Sequence, residues 1–100
     1  MRILKQPLEI TDEKIYMLPG KNITPLCVKC QNNNLVLYFE SDADDEELIE
    51  KNMPTPVTIC VVGTGHKRND LSDFNYLGTV IMPYGMVWHC YIKQNIYYDV

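Results

Sequence analysis

A chain of 100 residues makes one domain with one modest core, so any ligand site is expected to be shallow or shared between subunits. A hydrophobic share of 46% excludes global disorder, and no apolar run approaches the ~20 residues of a membrane-spanning helix. The formal charge of −4 has a local origin: Asp42, Asp44, Asp45, Glu46, Glu47 and Glu50 supply six of the thirteen acids, and without them nine bases face seven acids, a balance of +2 with no basic face for direct nucleic-acid binding.

Met1 to Pro7 carries no apolar segment of a secretory signal. The chain is therefore expected to stay in the cytosol, with Cys27, Cys30, Cys60 and Cys90 reduced. Ile3 to Ile10 alternates with period two and reads as a first strand. Pro7 lacks a ladder donor and places that strand at a sheet edge. Thr11-Asp12-Glu13 turns into a short strand, Lys14 to Leu18, which Pro19-Gly20-Lys21-Asn22 ends.

Ile23 to Gln31 and Leu35 to Ser41 flank Asn32-Asn33-Asn34. Asparagine tolerates positive φ, so these runs read as a hairpin. Cys27 and Cys30 have C-x-x-C spacing, but residues three apart on a strand point to opposite faces, which argues against a metal or redox pair. The acidic stretch from Asp42 to Met53 reads either as a loop or as one short helix over Asp44–Lys51, with its acids at the favoured helix N-terminus. It is expected to be solvated, with a role against a basic partner as the alternative.

Thr55 to Val62 is apolar on both faces, as a central strand should be. The chain then enters Gly63-Thr64-Gly65-His66-Lys67-Arg68. Tyr76 to Met82 and Met86 to Ile92 form a second hairpin around Pro83-Tyr84-Gly85. Lys93 to Val100, with Ile96, Tyr97 and Tyr98, reads as a further strand, an arm onto a partner, or a frayed end. Residues 1–100 are thus expected to form a single all-β domain. It would be an antiparallel meander, built as a sandwich or open barrel of about seven strands with at most one short helix. Unpaired edges make a homo-oligomer the expected assembly.

The glycine-rich turn is the candidate site. Glycines allow a tight turn, consecutive amides form a nest for an anion, Thr64 adds a hydroxyl, and Lys67 and Arg68 add charge. The alternative is a plain turn with solvated cations. His66, beside the glycines, is a candidate ligand contact. His89, within a strand, is a candidate general base, metal ligand or half-buried hydrogen-bonded residue. Trp88 and the tyrosines can stack on a base. The ligand-binding set is therefore Gly63, Thr64, Gly65, His66, Lys67, Arg68, Trp88 and His89. No Walker loop, nucleophile with base and orienter, or metal-binding pattern is visible, so no cofactor, metal or catalytic residue is expected.

Five segments together resemble a family of short, uncharacterised proteins of tailed bacteriophages and prophages: Leu8–Asp12, Met17–Pro19, Gly63–His66, Tyr76–Thr79 and Gly85–His89. They span most of residues 2–92 in order and spacing. The acidic insertion and the tail depart from that pattern. The resemblance implies a phage origin, a small β domain and the host cytoplasm, and it transfers no catalytic residue. The expected function is a non-enzymatic accessory protein that sequesters a phosphorylated, nucleotide-derived signal of host defence at an oligomer interface. The alternatives are an inhibitor that binds a host defence enzyme through a strand edge or the acidic loop, a phosphodiester or glycosidic hydrolase using His66, and a minor virion protein.

Overall fold

The computed structural model describes residues 1–50, 54–68 and 70–94. The period-two runs become seven strands: β1 (Arg2–Leu8), β2 (Lys14–Leu18), β3 (Ile23–Gln31), β4 (Asn34–Ser41), β5 (Thr55–Gly63), β6 (Asn75–Ile81) and β7 (Val87–Gln94). One short helix, α1 (Asp45–Glu50), forms inside the acidic stretch, and a tight turn with Tyr84 at positive φ covers Pro83–Gly85. Ile96, Tyr97 and Tyr98 lie outside the described residues.

The strands form two antiparallel sheets, one in the order β1-β4-β3 and one in the order β2-β5-β7-β6. The result is an open sandwich, not a barrel. It also departs from a simple meander. Only β3/β4 and β6/β7 pair as sequence neighbours within the described strands, and the chain changes sheet between β1 and β2, β2 and β3, and β4 and β5. The physical reason is the apolar patterning: each sheet has one face that must be covered by the other sheet.

Leu35, Leu37 and Phe39 of β4 share one buried cluster with Val57, Ile59 and Val61 of β5, so the core is drawn from both sheets. Burying each such side chain contributes about 1.5–3 kcal/mol. Pro7 lies on edge strand β1, and β5 is internal, between β2 and β7. β1 ends at Leu8 and leaves Ile10 exposed, because the chain turns there to reach the second sheet. Asn32 and Asn33 both adopt positive φ, at 50° and 65°, as a two-residue hairpin turn between Gln31 and Asn34 requires.

Part of the acidic stretch is structural. Asp42 Oδ1 accepts from the amides of Lys21 (2.9 Å) and Asn22 (3.1 Å), and Oδ2 accepts from Asn22 Nδ2 (2.8 Å). These donors, Asn22 foremost, hold its carboxyl below its ordinary pKa. Arg2 Nη1 donates to Asp45 at 2.8 Å. The buried Ser41 hydroxyl donates to Pro19 O (2.6 Å) and accepts from Ala43 N (3.0 Å). The acidic stretch is thereby braced against the β2–β3 turn, and is more than the solvated loop that its composition suggests.

Candidate functional site

β5 runs to Gly63, opposite Trp88 on β7. The chain reverses there: the His66 amide donates to Gly63 O at 3.2 Å, and Gly65 takes φ +83°. A Cβ at position 63 would lie 2.7 Å from His66 Nδ1 and 3.3 Å from Trp88 Cζ3. Glycine is needed at that point because the imidazole folds back onto the strand end. The Thr64 and Gly65 amides have no main-chain acceptor outside the strand ladders among the described residues. Both residues are exposed, as are His66 and Lys67.

Two shallow clefts share Gly63, His66 and Trp88. One, of about 220 Å³, also has Thr11, Asp12 and Lys67 in its wall. The other, of about 320 Å³, has Thr64, Gly85, Met86 and Val87. The first is the more polar and the second largely apolar, so an anion and an attached flat ring would have adjacent places. A larger hollow of about 450 Å³ lies elsewhere, where Pro25 and Leu26 of β3 approach Asn75, Tyr76 and Ile92.

The predicted residues do not all converge. Arg68 turns away from the loop. Its Nη2 donates to Glu13 Oε1 at 2.6 Å, and its side chain is only 13% exposed. Burial opposes its charge, but Glu13 and the neighbouring Cys60 outweigh that and its pKa is raised. Sequence patterning missed this pairing because the partners are 55 residues apart. Lys67 is therefore the cation that remains in the cleft wall.

Trp88 and His89 lie on opposite faces of β7. Trp88 packs against the core at the open end of the sandwich, and its indole Nε1 is buried without a hydrogen-bond partner. His89 is on the outer face, and both ring nitrogens are engaged: Nε2 with Thr64 Oγ1 at 2.8 Å and Nδ1 with Thr79 Oγ1 at 2.9 Å. Thr79 in turn bonds the Tyr76 hydroxyl. The Tyr76 ring meets Tyr91 edge-on, with centroids 5.5 Å apart. An unbroken line thus runs Tyr76–Thr79–His89–Thr64 and ends at the glycine loop.

Sequence reasoning missed Tyr76 and Thr79. Three residues apart, they belong on opposite faces of a regular strand, but an extra residue at Leu77 shifts the register between Tyr76 and Gly78. The bulge puts both on the face of His89. The only signal available was that they bracket one of the segments carrying the family resemblance.

The four cysteines are free thiols within strands. Burial raises the pKa of Cys60, and that of Cys90 to about 12. Among the described residues no three His, Cys, Asp or Glu side chains come together as a metal site. No helix among them is long and apolar enough to cross a membrane.

A family profile described as a domain of unknown function (DUF7352) matches residues 1–97. The chain belongs to that family. No curated protein and no solved structure gives a significant match.

Proposed function

We propose that this member of the family is a non-catalytic binding protein of phage origin. It holds a phosphorylated, nucleotide-like metabolite at the Gly63–Lys67 loop, and it acts in the host cytoplasm as a homo-oligomer that removes a host-defence signal. The observation that carries this reading is the exposed pair Thr64 and Gly65, whose amides have no main-chain acceptor outside the strand ladders among the described residues, beside Lys67 and next to a cleft walled by Trp88 and Met86. Hydrogen bonds to a charged group contribute about 1.5–3 kcal/mol each. Three of them, with an apolar contact for the base, support micromolar affinity after the costs of association.

Calorimetry against cyclic dinucleotides and ADP-ribose derivatives tests the proposal. We expect heat with at least one of them, lost in Gly63→Ala, whose added Cβ would displace the His66 ring. Absence of heat across the panel at micromolar protein removes the idea.

One observation favours a second reading, inhibition of a host protein by strand addition. Edge strand β2 leaves Ile15 and Met17 58% and 51% exposed, beside an open row of main-chain groups. Under that reading Ile15→Lys abolishes capture of a host protein while Gly63→Ala leaves it intact.

A further inference from the structure

Which phosphate the loop would accept is written in its charges and its donors. Lys67 is the one lysine or arginine in the walls of the two clefts, and the Asp12 carboxylate shares a wall with it. Arg68, which would have made the seat doubly positive, is held by Glu13. The remaining donors, the Thr64 and Gly65 amides and the Thr64 hydroxyl, are neutral. A terminal phosphate monoester brings nearly two negative charges to one cation and one carboxylate. A phosphodiester brings one charge and two acceptor oxygens.

We propose that the seat selects a singly charged phosphodiester over a terminal phosphate, with Thr64 held as a donor by the line Tyr76–Thr79–His89. The proposal rests on the loop reading above and deepens it by naming the ligand's chemical class.

The role of the line follows from its donor and acceptor inventory. A neutral imidazole gives the line two tautomeric states, with the proton on Nδ1 or on Nε2. In one, Thr64 spends its proton on His89 Nε2, and the hydroxyl can only accept from a ligand. In the other, the Tyr76 hydroxyl donates to Thr79, Thr79 donates to Nδ1, and Nε2–H donates to the Thr64 oxygen. That leaves the Thr64 O–H free to point at an acceptor. A bound anion stabilises the second arrangement, and each bond in the chain polarises the next. His89, Thr79 and Tyr76 are therefore positioning residues that act through Thr64. None of them touches the ligand. Thr79 and Tyr76 are exposed on the sheet surface, so altering them leaves the core untouched.

The test is NMR titration of the ¹⁵N-labelled full chain with three probes: 3′,5′-cyclic AMP (a diester with one charge), AMP (a monoester) and adenosine. We expect the Thr64 and Gly65 amides to shift with cyclic AMP, and AMP to bind about tenfold more weakly because its second charge is uncompensated. Long-range ¹H–¹⁵N spectra of the complex are expected to show the His89 proton on Nε2. Thr79→Val should weaken cyclic AMP about three- to tenfold, the partial loss of one hydrogen bond to a charged group. Tyr76→Phe should act in the same direction by less, with β3–β4 amide shifts unchanged in both variants. AMP binding as tightly as cyclic AMP overturns the proposal, as does a bound His89 protonated on Nδ1 alone, or a Thr79→Val variant of undiminished affinity. In those cases the loop still binds a phosphate and the functional reading survives. If all three probes leave the two amides unmoved, or adenosine matches cyclic AMP, both fail together.

Discussion

Tyr84 stands at the tip of the β6–β7 hairpin with φ 75° and ψ 9°, and it is 99% exposed. The Gly85 amide donates to Met82 O at 3.1 Å. With Pro83 in the second position, this is the type II form, which calls for glycine or asparagine where the tyrosine sits. Holding an L-residue with a Cβ in the left-handed region costs roughly 1–2 kcal/mol, and asparagine relieves part of that. A side chain this exposed contributes no burial to offset the strain. Tyr84→Asn should therefore stabilise the fold by about 0.5–1 kcal/mol, which raises Tm by about 2–8 °C in a domain of this size. Tyr84→Gly should gain less, because glycine returns about 0.4–1 kcal/mol of conformational entropy to the unfolded chain. Urea denaturation checks this through a higher midpoint at unchanged slope. A lower midpoint for Tyr84→Asn would refute the reasoning and show that the ring makes a stabilising contact in solution. If stability rises while cyclic AMP binding falls, the strain belongs to the site: Tyr84 adjoins Gly85 and Met86 of the apolar cleft, where a ring can close over a bound base.

Three other predictions concern the scaffold that holds the site. Gly20→Ala should cost on the order of 3 kcal/mol, read by thermal or urea unfolding. At φ +109° the new Cβ is strained and overlaps Ser41 Oγ, which breaks the buried bonds to Pro19 and Ala43. Asp42→Ala should destabilise at neutral pH. Because the folded carboxyl is held below its ordinary value near 3.8, the wild-type advantage is fully present above that value and disappears as pH falls through the lowered one; equal denaturation midpoints at pH 7 would contradict it. A thiol reagent at pH 8 should label the half-buried Cys27 and Cys30 in the native protein and reach Cys60 and Cys90 only on unfolding, since burial keeps both as thiols.

Strand positions were legible wherever periodicity was local. The two apolar faces of Thr55–Val62 foretold an internal strand, Pro7 foretold an edge, and the paired asparagines foretold the hairpin turn. What periodicity lacks is partnership. It says that Val62 and His89 each alternate correctly, but not that β5 and β7 lie side by side with those two residues opposed. It counted Lys67 and Arg68 as one positive cluster because they are adjacent, although neighbours on an extended chain point apart and Glu13 captures only the second. Alternation does place Trp88 and His89 on opposite faces, as the sheet has them, one against the core and one on the outer face.

The bulge at Leu77 decides how the outer face should be understood. Like a second register shift, between Pro25 and Cys27 on β3, the extra residue in the ladder leaves a main-chain group unpaired and bends the strand. Here it aligns Tyr76 above Thr79, and Thr79 opposite His89. No part of that polar line is needed to fill the core, which is closed by residues on the other face. The line does not stop at the sheet edge either. It leaves through Thr64 into the turn where, among the described residues, two exposed amides with no main-chain acceptor outside the strand ladders, Lys67 and two flanking clefts come together. It ends at the hydroxyl of Thr64, an exposed residue, which is bonded to His89 Nε2 at 2.8 Å and is the donor on which the phosphodiester proposal turns.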